Sequence, residues 1–353
     1  MSNQSGSAEK CAHLLHEYFI WIVVASYGAA TFMPQLGETL RSWRFLNTSI
    51  AGMSIVATTP TILLAMLLFN ASLVANISEL KTIARHPVLA LGGLIGNFAS
   101  PLAFIFVGSV MLRFWHNSDE TQQLLTGLAF VAAMPIAGAS TAWAQSANGN
   151  MSLSVGLVLA TTLFSPALTP LVLHAAGAVT TGDYSEDLHE IAAGESANFL
   201  GLWVLAPSLL GLAAGHALSD KRAAAAKPYL KIANYAAIIL LNYANASLSL
   251  PGVLRQPDAD FLVLMMFIVF SLCLTAFAIG FLIARLGGAD RREMASLMFG
   301  LGMNNNGAGL MLASTTMADH PGVLLPVILY NLIQHLVAAL VDRLMFQERD
   351  GFV

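Results

Sequence analysis

Between residues 121 and 182 the chain contains no Asp, Glu, Lys or Arg, and the same is true of 45–78, 232–254, 261–284 and 294–318. A helix crosses the hydrocarbon of a bilayer in about 20 apolar residues, so the run from 121 to 182 is long enough for two, joined by the polar turn SANGN at 146–150. With 56% hydrophobic and only 10% charged residues, an ordinary soluble domain is excluded. The expected class is an all-α polytopic membrane protein. A net charge of −4 gives no reason to expect nucleic acid. The first apolar stretch, 18–34, follows a single Lys and lacks a small-residue cleavage site, so it reads as a retained helix. Cys11 lies in the polar N-terminal tail and Cys273 in mid-span, with neither disulfide nor metal-site spacing.

Two of these apolar runs are interrupted. MPIAGASTAWAQ (134–145) and GLGMNNNGAG (300–309) put Gly, Pro, hydroxyl and amide groups where a continuous helix would be buried in lipid. Irregular backbone survives at that depth only where it is enclosed by protein or lines a wet cavity. Two such breaks, one in each half of the chain, are the pattern of a secondary transporter's binding site.

Ten spans are expected, at 17–36, 51–76, 87–112, 122–146, 151–176, 196–217, 228–249, 260–285, 291–315 and 321–345. With the N-terminus inside, the inner segments hold Lys10, Lys81, Arg85, Lys221, Arg222, Lys227, Lys231, Arg285, Arg291, Arg292, Arg343 and Arg349. The outer ones hold only Arg41, Arg44, Arg113 and Arg255. Twelve against four obeys the positive-inside bias and places both termini in the cytoplasm. An acidic outer loop at 178–195 separates five helices (1–177) from five more (196–353) within one transmembrane domain. An odd number of helices per half forces opposite orientations, so the halves read as inverted repeats with broken helices four and nine. The tetrapeptide NASL recurs at 70–73 and 245–248, late in helices two and seven.

No charged residue lies near the centre of any span, where it would cost roughly 2.5–3.5 kcal/mol to insert. The polar groups at depth are Ser140, Thr141, Gln145, Ser154, Thr161, Thr162, Asn304, Asn305, Asn306, Gln334 and His335. A single Ser or Thr ordinarily bonds back to its own helix or to a neighbour. Three consecutive amides flanked by Gly302 and Gly307 are different: they point around most of a helix, so at least one faces a cavity or partner. At a break, the N–H groups and positive dipole of the second half-helix suit an anion. The carbonyls ending the first half suit a cation, and crossing two broken helices brings both kinds of site together. Gln334 and His335 on helix ten are within reach of the same cavity.

At these residues the chain resembles the bile acid:sodium symporter family. The stretch GNMSLSVGLVLATTLFSPALTP (149–170) looks like the family's helix-five signature, PIAGAST (135–141) its first break, GMNNNG (302–307) its second, and ISELKTIARHP (77–87) the end of helix two. The resemblance implies a panel-plus-core architecture with crossed helices four and nine, and co-transport of an amphipathic organic anion with Na⁺ across the cell membrane. By position it implies a Na⁺ site drawn from Ser140, Thr141, Ser154, Leu301, Met303 and Asn304, with Asn97 the nearest polar group on helix three. It implies substrate contacts at Asn305, Gln334 and His335, to which the helix ends at the breaks add Ala139, Ser140 and Asn306 as expected substrate residues.

The chain departs from the family pattern at two positions. Gly300 stands where the family has a carboxylate shared by both cation sites, and Val158 where it has a hydroxyl. A unit charge at about 4 Å is worth roughly 4 kcal/mol at an effective dielectric near 20, about a thousandfold in cation affinity. Weakened or single-ion Na⁺ coupling is therefore expected. A Na⁺-independent, exchanging or proton-coupled carrier of the same fold, with His335 as the titrating group, is the alternative. A non-transporting sensor would ordinarily carry a soluble output domain, and only short tails flank these spans. No carboxylate pair, HExxH or GxSxG suggests an enzyme.

Overall fold

The computed structural model describes residues 14–15, 18–50, 53–73, 87–218, 220–255 and 257–347. They divide into two compact units, 1–77 with 198–258, and 78–197 with 259–353.

In the first unit, the helix Phe19–Phe32 stops at Met33 because Pro34 opens the next helix, Pro34–Ser42, at its first position, where a missing N–H does no harm. Strands β1 (Arg44–Ile50) and β2 (Met53–Thr58) then pair antiparallel, with Asn47 opposite Val56 and Thr48 opposite Ile55. The expected span 51–76 is corrected here: its first part is strand, and helix begins only at Thr59, running to Leu73. The reason is local. Ile55, Val56 and Thr58 favour extended backbone, and Thr58 and Thr61 exchange bonds across the helix start, the Thr58 amide reaching Thr61 Oγ1 at 2.8 Å. Most of ISELKTIARHP lies outside the described residues.

The helix Ala206–Ala217 packs on Thr59–Leu73 main chain to main chain. A Cβ on Gly211 would stand 2.2 Å from the Phe69 carbonyl oxygen, and one on Gly215 2.2 Å from that of Leu73. This GxxxG spacing gives two membrane helices close contact where burial in lipid offers no hydrophobic drive. The helix Asp220–Ala246 packs on both Phe19–Phe32 and Thr59–Leu73. The two NASL asparagines make interhelical bonds, Asn70 donating to Asn234 at 2.9 Å and Asn245 accepting from Arg41 at 2.7 Å.

The second unit carries most of the long helices. Asn117 caps Ser118–Ala132, whose first turn holds Asp119 and Glu120; Asn150 caps Met151–Gly177; Asp290 and Glu293 form a capping box on Arg291–Gly302. Pro101 sits inside Pro87–Leu112, and Pro166 and Pro170 inside Met151–Gly177. Pro166 cannot donate to the Thr162 carbonyl, and the Ser165 hydroxyl does so instead at 2.9 Å, repairing the backbone as a lipid setting demands. Leu89, Ile136, Leu153, Leu157, Ala284, Leu297 and Leu301 form a buried apolar cluster.

The acidic segment expected as a loop is helical from Asp183. Gly182, at φ +62°, makes the turn. Asp183 and Glu186 favour the helix N-terminus, and Tyr184 donates to Asp119 at 2.8 Å. The helix continues through two π-helical stretches, Ile191–Glu195 and Leu200–Leu205, so Asp183–Ala217 is a single helical run of 35 residues. Among the described residues, five helices are long and apolar enough to cross a membrane: Pro87–Leu112, Met151–Gly177, Asp183–Ala217, Ala259–Leu286 and Pro321–Phe346. Trp21–Phe32 and Thr59–Leu73 are shorter apolar helices.

Candidate functional site

Within the second unit, helical residues end at Ala132 and resume at Ala139, and they end again at Gly302 and resume at Asn306. The two intervening segments pair with each other. Ile136 and Asn304 form an antiparallel bridge in which the Ala137 amide donates to the Met303 carbonyl and the Asn305 amide to the Pro135 carbonyl, both at 2.8 Å. Each segment thus supplies main-chain partners that its own missing helical turn would have supplied.

Side chains complete the fastening. Asn304 donates through Nδ2 to the Val131 carbonyl at 2.8 Å, and Asn97 through Nδ2 to that of Met134 at 3.1 Å. Thr169 donates to the Ala133 carbonyl, while Thr161 accepts from the Ile136 amide at 3.2 Å. Gln334 Oε1 accepts from the Asn304 amide at 3.1 Å and from Asn306 Nδ2 at 3.0 Å. Asn305 caps the following half-helix through its Oδ1, which accepts from the Ala308 amide.

The expected site residues fall into groups. Asn304, Asn306 and Gln334 are bonded directly to one another and are all buried. Asn305 is half-buried, and the Met303 carbonyl is already engaged by Ala137. Leu301 belongs to the apolar cluster. Ala139 and the preceding Gly138 are exposed at the start of the Ala139–Ser146 helix, with Ser140 fully buried behind them. Thr141 is half-buried and turns its hydroxyl back to the Gly138 carbonyl at 2.7 Å. Ser154 is buried on Met151–Gly177, a helix that packs against both Ala139–Ser146 and Arg291–Gly302. His335 accepts from Trp143 Nε1 through Nδ1 at 3.4 Å, and Trp143 stacks on Phe299 with 6.1 Å between centroids.

Sequence reasoning passed over the fastening roles of Asn97, Thr161 and Thr169. The signal for two of them was present: Thr161, Ser165 and Thr169 recur every fourth residue, a polar stripe on an otherwise apolar helix. For Asn97 no such stripe exists.

Five buried oxygens around these elements accept no hydrogen bond: Ser140 Oγ, Ser154 Oγ and the Oδ1 atoms of Asn97, Asn304 and Asn306. A buried acceptor left bare costs about 1–3 kcal/mol, which a hard cation or an ordered water recovers. Every one of these oxygens is neutral, and no group of three His, Cys, Asp or Glu suited to a metal occurs among the described residues. The residue 300 position, by contrast, is apolar: a Cβ on Gly300 would meet Ile136 Cδ1 at 3.6 Å and Leu157 Cδ1 at 3.8 Å. Val158 packs on the same cluster. Neutral hydroxyl and amide oxygens of this kind do not fit the two-site, carboxylate-centred arrangement that the resemblance implies.

Apolar helices long enough to span a bilayer, with two paired helix interruptions rich in buried amides, define a multi-pass membrane protein of the transporter type. The chain belongs to the Sodium Bile acid symporter family, whose model matches residues 61–255. That match takes in the first interruption and stops before the second. The chain is also similar to the uncharacterized protein YbaS of Bacillus subtilis (strain 168), at 28% identity over 281 residues, covering 78% of this chain and 85% of that one.

Proposed function

We propose that this protein is a secondary active transporter that carries a small organic anion through the cell membrane by alternating access, with the substrate held where the two interrupted helices cross. The observation that carries the reading is the pairing of the two interruptions: main chain freed from helix, fastened across the crossing, and surrounded by buried oxygens without donors. The exposed turn at Gly138 and Ala139 opens the Ala139–Ser146 helix, whose positive end favours an anion although the Ser140 and Thr141 amides already bond to the Ala137 and Gly138 carbonyls, and Asn305 and His335 supply further polar contacts. Gln334 acts behind them, since its amide oxygen is already shared by Asn304 and Asn306. The ten spans, the inverted five-helix repeats and the cytoplasmic placement of both termini belong to the same proposal.

Na⁺ is the coupling ion of this reading, bound by Ser140, Ser154 and Asn304 with help from Asn97. No carboxylate takes part, so coupling is weak and involves a single ion. The apolar surroundings of Gly300 and Val158 also favour a second reading, in which the same fold carries its anion without Na⁺. Uptake of labelled organic anions into proteoliposomes, with Na⁺ or K⁺ outside, tests both. Saturable uptake that rises hyperbolically with Na⁺ supports the first, and uptake indifferent to the cation supports the second. A protein that transports no anion in any arm, although folded and correctly inserted, ends both readings.

A further inference from the structure

The helix Met151–Gly177 ends in HAAG, and the helix starting at Asp183 brings His189 back against that last turn. The Nδ1 atoms of His174 and His189 lie 2.9 Å apart, with ring centroids at 4.5 Å and planes at 60°. Gly177, one turn beyond His174, makes the approach possible: a Cβ there would stand 2.9 Å from His189 Cε1. The turn is braced, because the Gly177 carbonyl accepts from Ser185 Oγ at 2.7 Å and from Thr180 Oγ1 at 3.1 Å. His174 is exposed and His189 half-buried. Neither takes part in the crossing.

We propose that His174 and His189 form a two-imidazole site for a borderline divalent cation of the Cu²⁺, Ni²⁺ or Zn²⁺ class. Imidazole is the ligand these ions share. At metal–nitrogen distances of about 2.0–2.1 Å, two nitrogens at a right angle lie about 2.9 Å apart, and two at a tetrahedral angle about 3.3 Å. The observed separation matches the right angle, the geometry of tetragonal Cu²⁺ or Ni²⁺, and needs only a small opening for Zn²⁺. A metal-free pair meets at the same distance through one shared proton, so the ion replaces that proton between the rings. Among the described residues no third His, Cys, Asp or Glu completes a cluster. Water therefore fills the remaining positions, and Glu186, exposed one turn before His189, is a carboxylate on the same helix face. An ion held this way ties the first turns of the Asp183 helix to the end of Met151–Gly177 and closes the short connection at 178–182.

The test uses the full-length, tag-free protein in detergent, stripped with chelator and titrated with NiCl₂, CuCl₂ or ZnCl₂ alone while the melting midpoint is followed. A ligand that binds only the folded state raises that midpoint with its concentration. The expected result is a saturable rise that disappears in both His174→Ala and His189→Ala and persists in His320→Ala. The same rise in either single variant, or no rise in the parent, overturns the proposal. Electron paramagnetic resonance of the Cu²⁺-loaded parent needs no variant: splitting from two nitrogens is expected, and one or none overturns it.

Discussion

Replacing Gln334 with Met separates a structural role beside the paired interruptions from a role in holding substrate. Methionine is close to glutamine in length and volume, so repacking costs less than about 1.5 kcal/mol, but it offers no strong acceptor. In the parent, Gln334 Oε1 receives the Asn304 amide and Asn306 Nδ2, and its exposure is 2%. The Asn304 amide would lose its partner in a buried setting, at about 1–3 kcal/mol; Asn306 Nδ2 would lose one bond, worth about 1 kcal/mol, and keep its bond to the Asn304 carbonyl at 3.1 Å. The total is about 2–4 kcal/mol, present without any substrate. At roughly 2 °C per kcal/mol for a large chain, the ligand-free melting midpoint in detergent falls by several degrees, and uptake falls with it. A Gln334→Met protein that melts with the parent in the absence of ligand, yet no longer transports, would refute this reasoning and return Gln334 to direct substrate contact.

Three further outcomes are expected. Gly300→Glu places a carboxylate beside Ile136 and Leu157; in Na⁺-free buffer it lowers the melting midpoint, and NaCl restores it where choline chloride does not, whereas equal restoration by both salts would show that no cation site forms there. Asn305→Ala removes a helix cap, at about 1 kcal/mol, and abolishes saturable uptake in a protein that still folds; Asn305→Ser keeps the capping oxygen and the parent's stability while uptake is impaired, and normal uptake in both variants would remove Asn305 from the substrate site. Gly211→Leu drives a side chain into the Phe69 carbonyl and costs more than the 1–3 kcal/mol typical of overpacking, read as lost monodisperse protein on size-exclusion chromatography, with Ala213→Leu on the same helix as the tolerated control.

The residues at the two paired interruptions were legible because Gly, Pro and consecutive amides are costly in lipid and so mark themselves out. Pro135, Gly138 and Asn304–Asn306 all fall where helix stops or restarts. What each amide does there was not legible. Gln334 and Asn305 look alike in a sequence, yet the oxygen of one is consumed by two buried donors while the other sits half-exposed as a cap. Such differences arise only from which carbonyl or amide of a distant segment comes within 3 Å. The β1–β2 pair was hidden for another reason: residues 53–58 are as apolar as the helix that follows them, and a hydropathy run carries no record of period. Helix 183–190 was hidden by its charge. Five acidic residues between 183 and 195 look like a solvated connection, although those at the helix start reinforce it.

The bridge between Pro135–Ala137 and Met303–Asn305 is made by carbonyl groups that any residue, Pro135 included, can furnish and by amide groups that any residue but proline can. Its persistence therefore places almost no demand on which side chains stand beside it. A lineage can exchange an acidic residue for Gly300, or a hydroxyl for Val158, and keep the same frame while altering what the frame admits. Cargo and driving ion can drift in such a protein without the fold ever having to be reinvented.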